Sequence, residues 1–261
     1  MALAFSAGSI AVIAVVVVVA GAVNGVAGFG FAVVGTMALA TALDPAAAVV
    51  FMILPILAVN LALVGDLSRE ELRSCGSRFA PLLVAALVGT IAGMVLLDRL
   101  PEAPLRVLLG LVSIGFVATA QRIVPLPTLS RAKDECFVET PLAMGAVGGV
   151  SGILFGATNV GVQIVAFVRS CDLSHGLFVG VVALVFVGIN GLRVVAAGAL
   201  GLYPDVWLAG ASLAAAIPAV VGVVVGKRLR GRVSERLRRT VVLGLLTVIG
   251  VRLVLGGAGV V

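Results

Sequence analysis

Polar side chains that could bind a solute are concentrated in two glycine-rich stretches of this chain. The first reads GAVNGVAGFG at 21–30, and the second reads GAVGGVSGILFGATNVGVQ at 145–163. The polar side chains in them are Asn24, Ser151, Thr158, Asn159 and Gln163. Glycine turns that open helix N-termini expose backbone N–H groups, and such groups bind anions. The chemistry that these residue types favour is therefore binding of a small anion.

The composition determines the kind of protein that must position these stretches. Of 261 residues, 61% are hydrophobic and 11% are charged, whereas soluble domains carry about 25% charged residues. We therefore predict a single membrane domain over residues 1–261, surrounded by lipid. The net charge of +6 does not indicate a nucleic-acid partner, because the basic residues lie in short loops between apolar runs.

The apolar runs predict an all-α fold with ten helical segments, five in each half of the chain. Asp44 followed by Pro45, an acidic cap and a proline at the first helical position, predicts the start of one of them. GAVNGVAG at 21–28 resembles GAVGGVSG at 145–152, an offset of 124, and Asn60 corresponds to Asn190, an offset of 130. The rising offset is what small insertions into a duplicated unit would produce. We predict a first repeat at 1–122 and a second at 140–261.

The basic loops predict the topology. The loop at 227–239 contains seven basic residues and one acid, and such loops lie on the cytoplasmic side. The distribution of the other basic residues favours a hairpin formed by the first two segments of each repeat. An odd number of segments per repeat then makes the repeats inverted. This interpretation predicts a multi-pass protein of the cell membrane with both termini on the outer side.

Each hairpin is predicted to contain short arms that meet inside the membrane. The expected segments are 4–24, 28–43, 141–152 and 154–168. Runs of about 12 and 15 residues are short for a bilayer and suggest re-entrant half-helices. The second arms would then begin with free N–H groups, and both tips would face one anion site. The predicted site residues are Asn24, Gly25, Gly28, Gly30, Ser151, Gly152, Gly156, Thr158, Asn159 and Gln163.

Other interpretations of these residues remain open. Glycine pairs such as Gly21/Gly25, Gly145/Gly149 and Gly222/Gly226 are also typical of close helix packing. The polar side chains could bond to one another across helices instead of to a solute. Asn60 and Asn190 are second-tier candidates for lining the site. Arg193 is a third, because a charge within a membrane segment is often functional, although it could also extend to the interface.

One motif raises an enzymatic alternative. GVSG at 149–152 has the GxSG form of intramembrane serine proteases, and His175 follows. The predicted layout separates Ser151 from His175 by about 15 Å at helical rise, which is too far for a Ser/His pair. We therefore expect no catalytic residues, and the sequence indicates neither a metal site nor a cofactor.

Three motifs together resemble the TauE/SafE family of membrane permeases. They are GFGFAVVGTMALATALDPAAAVVF in the first half, GGVSGILFGATNVGVQ in the second, and the paired segments GTIAGMVL and GVVVGKRL. The resemblance covers nearly the whole chain. It implies a duplicated transporter in the cytoplasmic membrane whose substrates are sulfite, sulfoacetate and other sulfur-containing organic anions.

These observations predict a secondary transporter that moves a small sulfur-containing anion, such as sulfite or an organosulfonate, through a site between the two hairpin tips. A transporter of another small organic or inorganic anion is the alternative, and a passive helical scaffold is a third. The sequence is compatible with a homo-oligomer.

Overall fold

The structure is a computed structural model that describes residues 7–27, 30–64, 70, 79–120, 140–169, 175–203, 205–229, 231–232 and 234–259. Gly28, a predicted site residue, lies outside the described residues, as does the side chain of His175. The helices in the described part are α1 Ala7–Ala27, α2 Phe31–Ala40, α3 Pro45–Phe51, α4 Ile53–Val64, α5 Ala80–Arg99, α6 Glu102–Ala120, α7 Pro141–Thr158, α8 Val162–Arg169, α9 His175–Ala199, α10 Val206–Leu229 and α11 Glu235–Gly257.

The all-α prediction is confirmed, and within the described ranges no strand forms. Six spans there are long and apolar enough to cross a bilayer: Pro45–Val64, Ala80–Arg99, Pro141–Thr158, Leu177–Ala199, Val206–Leu229 and Thr240–Gly257. Side-chain caps start several helices. The carboxylate of Asp44 accepts the N–H of Ala47 at 2.9 Å, with Pro45 at the first helical position. These residues therefore begin α3 as the sequence predicts.

The second hairpin differs from its prediction in where it breaks. A break was expected near residue 153, but α7 continues through 18 residues to Thr158, and α8 has only 8 residues. The first arm is thus about 27 Å long and the second about 12 Å. Gly148 and Gly152 do not end the helix, and both pack closely against the backbone of α5. The chain turns instead at Asn159, where φ is 61°.

The helices form two compact units, and each unit combines segments from both halves of the sequence. The first contains Met1–Val59, Leu100–Val117 and Ala197–Val261, and the second contains Asn60–Arg99 and Ala118–Ala196. The two predicted repeats are therefore not the two compact units.

In the first unit, α1 packs closely against α10 through glycine. A Cβ at Gly21 or Gly25 would lie less than 3.0 Å from backbone atoms of α10, and one at Gly222 or Gly226 would equally meet α1. Real Cβ atoms do not approach so closely, so only glycine permits this separation. The packing interpretation of these glycine pairs is confirmed, and it is typical of membrane helices.

In the second unit, α5 and α7 form an equivalent contact. A Cβ at Gly89 or Gly93 would lie less than 3.0 Å from the backbone of α7, and one at Gly152 or Gly156 would meet the backbone of α5. Gly149 contributes its backbone oxygen to this contact, opposite Gly89, whereas a Cβ added at Gly149 or Gly145 would meet no atom within 4 Å.

The helix ends of the two hairpins align in a different register from that of the glycine strings at 21–28 and 145–152. The first arms end at Ala27 and Thr158, and the second arms begin at Phe31 and Val162, so both pairs are 131 residues apart. The predicted offset of 124 at the tips is shorter by seven residues, or about two helical turns. The matched glycine strings and the helix ends therefore have different registers. The duplication and the inversion of the repeats stay predictions.

Candidate functional site

A buried cluster of polar side chains lies at the break between α7 and α8 in the second unit. Its centre is Arg193 on α9, which is 0% exposed. The Nη1 group of Arg193 donates to the side-chain oxygen of Asn159 and, at 3.4 Å, to that of Asn190. Its Nη2 group donates to the backbone oxygen of Gly156 at 3.4 Å. These three partners are neutral, and the guanidinium stays positively charged at physiological pH.

Two aromatic side chains support the cluster. The ring of Phe155 lies beneath the guanidinium of Arg193, with 5.1 Å between the guanidinium carbon and the ring centroid. Phe186 stacks against Phe155 with 5.0 Å between centroids. A cation over an aromatic face gains about 2 kcal/mol when it is shielded from water. The rings therefore fix the position of the charge.

Residues 159–161, here called the elbow, connect α7 to α8. Several backbone groups in and next to the elbow are hydrogen-bonded locally. The N–H of Asn159 donates to the oxygen of Phe155 at 2.9 Å, so Asn159 caps α7 in the left-handed conformation. The hydroxyl of Thr158 donates to the oxygen of Leu154 at 2.6 Å and accepts the N–H of Val160 at 3.2 Å. The sequence predicts free N–H groups near Gly156–Asn159, but the N–H groups of Asn159 and Val160 both form hydrogen bonds here.

Gly161 brings the elbow close to α9. A Cβ at this position would lie within 3.0 Å of ring atoms of both Phe186 and Phe155. A larger residue here would therefore have to displace the ring of Phe155 or of Phe186, both of which belong to the cluster.

Asn190 is held on its far side by a second bond. Its side-chain nitrogen donates to the backbone oxygen of Phe186 at 2.8 Å, and this bond directs the amide oxygen toward Arg193. Asn190 and Arg193, second-tier candidates in the sequence, therefore lie at the centre of the cluster together with Asn159. Asn60, the remaining second-tier candidate, is buried near the end of α4.

Two predicted site residues carry buried polar atoms that lack a hydrogen-bond partner among the described residues. They are the hydroxyl of Ser151 and the side-chain oxygen of Gln163. Ser151 is 1% exposed and lies two helical turns before Asn159 on α7. Gln163 is the second residue of α8. Both flank the elbow within the second unit.

The first hairpin closes its break differently. The side-chain oxygen of Asn24 accepts the N–H of Phe31, the first residue of α2, at 3.3 Å. The predicted free N–H at this helix start is therefore already bonded. Gly30 adopts a φ of 103°, which glycine tolerates, and a Cβ there would meet nothing within 4 Å. Gly25 contacts α10, and the prediction that both tips share one pocket stays a prediction.

The sequence reasoning missed Phe155 and Phe186, although a pattern in the chain contains both. Each phenylalanine lies four residues before an asparagine of the cluster, in FGATN at 155–159 and in FVGIN at 186–190. Residues four apart share one face of a helix. An aromatic residue paired in this way with a buried amide could have indicated a packed polar site.

The cluster contains a positive charge that is shielded from water. Such a charge attracts an oxyanion more strongly than a water-exposed charge does. Among the described residues, no three His, Cys, Asp or Glu side chains come together to hold a metal.

Comparison with known protein families gives a match over most of the sequence. The profile of the family described as Sulfite exporter TauE/SafE matches residues 13–253, which is nearly the whole chain. A search of the curated proteins found no match, and a search of the solved structures found none either.

Proposed function

The chain belongs to the TauE/SafE sulfite exporter family, a family of multi-pass membrane transporters, and from this premise we propose that it exports sulfite or a similarly small sulfur oxyanion. The anion binds at the elbow between α7 and α8. Arg193 supplies the charge, Asn190 supplies a neighbouring amide, and Asn159 borders the site.

The burial of Arg193 within a span of Leu177–Ala199 is the observation that carries this proposal. An arginine costs about 2.5–3.5 kcal/mol at the centre of a membrane helix, and Arg193 lies six residues before the end of its span. A buried charge at such a position is often functional. The discontinuous helix beside it supports the same conclusion, because broken helices form substrate sites in many transporters.

The compactness of the cluster favours a small cargo. Arg193 is enclosed by Asn159, Asn190, the backbone of Gly156 and the ring of Phe155. A small pyramidal oxyanion such as sulfite displaces fewer of these groups than a larger anion does. A bulky organosulfonate would have to separate Phe155 from Phe186, whose rings stack. We therefore place sulfite ahead of large sulfonates.

Purified protein in liposomes tests the cargo. Efflux of labelled sulfite should exceed efflux of labelled acetate at equal concentration and ionic strength. Sulfite should also raise the thermal midpoint, because a ligand at 100 times its Kd adds about 2.7 kcal/mol to the free energy of unfolding. Equal rates for sulfite and acetate would contradict the sulfur assignment and favour a general anion transporter.

Substitution of Arg193 tests the site. Arg193→Lys keeps the charge but loses the planar fork that contacts several oxygens at once, so half-saturation should need at least about tenfold more sulfite. Arg106→Lys is the matched control, because Arg106 pairs with Glu102 at 2.6 Å and is part-exposed. Equal sulfite responses in the two variants would rule out Arg193 as the anion ligand.

A further inference from the structure

Asn159 differs from the other partners of Arg193 in its place in the backbone. Asn190 lies inside α9, where its side-chain nitrogen is also bonded to Phe186, and Gly156 lies in the last turn of α7, so both residues belong to helices. Asn159 belongs to neither α7 nor α8, and among the described residues it is the one non-glycine residue with a positive φ. The partner of Arg193 that can move without breaking a helix is therefore Asn159.

The bond between Asn159 and Arg193 resembles the bond that an anion would make. The amide oxygen of Asn159 accepts from Nη1 as an oxygen of sulfite would. An amide oxygen is neutral, however, whereas an oxyanion adds the Coulomb attraction between opposite charges to the same hydrogen bond. An incoming oxyanion is thus the stronger acceptor for the same donor.

We propose that the substrate anion displaces the side-chain oxygen of Asn159 from Arg193, so that Asn159 is an internal competitor that sets the affinity of the site. This inference rests on the proposed function. Asn159 also caps α7 through its N–H bond to Phe155, and loss of its side-chain bond to Arg193 removes a link between the elbow and α9. Anion binding is in this way linked to movement of the second hairpin.

Two substitutions at this position have opposite expected effects. Asn159→Gly removes the competing oxygen and keeps the left-handed conformation without strain. Half-saturation should then need at least about threefold less sulfite, because the binding-competent state no longer has to be generated by displacement. Asn159→Asp puts a carboxylate against Arg193, and half-saturation should need at least about tenfold more sulfite because an ion pair is harder to displace.

The measurement is the sulfite concentration that half-saturates thermal stabilisation of the purified full-length protein. Hydrogen exchange of the peptide that covers 154–169 is the second readout. Sulfite should speed exchange around Asn159 at least about twofold in the wild type, whereas Asn159→Gly should exchange quickly with or without sulfite. If Asn159→Asp does not fold, Asn159→Gly decides the question with both readouts.

The possible results separate this inference from the proposed function. A wild type that shows no sulfite response contradicts the proposed function itself. A wild type that responds, with an Asn159→Gly variant that needs more sulfite, would show that Asn159 is a direct ligand and overturn the competitor role. Wild-type affinity in a folded Asn159→Asp variant would overturn it as well.

Discussion

The guanidinium of Arg193 lies over the ring of Phe155, 5.1 Å from its centroid. Phe155→Leu removes this contact and the stack with Phe186. We expect the free energy of unfolding to fall by about 2 kcal/mol and the sulfite response to weaken, because the charge loses its support. Thermal unfolding with and without sulfite measures both effects.

Phe51→Leu is the control for Phe155→Leu, since Phe51 is 0% exposed on α3 in the first unit. It should lose similar stability but keep the wild-type sulfite concentration for half-saturation. If both variants respond to sulfite alike, Phe155 has only a packing role.

Two glycines three residues apart on α7 should respond differently to alanine. A Cβ at Gly152 would lie less than 3.0 Å from the backbone of Ala86, whereas one at Gly149 would meet nothing within 4 Å. Gly152→Ala should therefore cost about 1–3 kcal/mol through overpacking, and Gly149→Ala should be neutral or slightly stabilising. Unfolding in detergent measures the difference. Equal stabilities would mean that α5 and α7 are not in close contact.

The cap formed by Asn24 should contribute to stability. Asn24→Ala leaves the N–H of buried Phe31 without its side-chain acceptor, so the free energy of unfolding should fall by about 1–3 kcal/mol. Ser234→Ala removes an exposed cap bond of 3.3 Å to Leu237 and should cost less, because water can replace it. A smaller loss for Asn24→Ala than for Ser234→Ala would contradict the buried cap.

In the protein without bound solute, the hydroxyl of Ser151 should lower the free energy of unfolding. Ser151→Ala removes a buried hydroxyl that has no partner among the described residues, and we expect the free energy of unfolding to rise by about 1 kcal/mol. Ser113→Ala is the matched control, because the hydroxyl of Ser113 donates to Leu246 at 2.9 Å. That variant should lose about 1 kcal/mol.

The same serine variant tests the protease alternative. The wild type should not cleave model transmembrane helices, and Ser151→Ala should leave this unchanged. Cleavage by the wild type that disappears in Ser151→Ala would support an intramembrane protease, in disagreement with the transporter family of the chain.

The composition by itself determined the fold class and the membrane environment. With 61% hydrophobic residues and 11% charged, no water-soluble arrangement covers enough apolar surface. The Asp44–Pro45 helix start was also predicted correctly, because capping depends on neighbouring residues in the chain. The resemblance to the TauE/SafE family was also visible in short sequence motifs.

Only the tertiary structure decided where the second hairpin turns and which residues form its polar cluster. Gly152 could break a helix or pack it, and contact with α5 selected packing. Arg193 and Asn159 are 34 residues apart, and helical periodicity cannot determine which faces of α7 and α9 meet. Local patterns fix caps and hydrophobic faces, whereas contacts between distant segments depend on how side chains of several helices fit together.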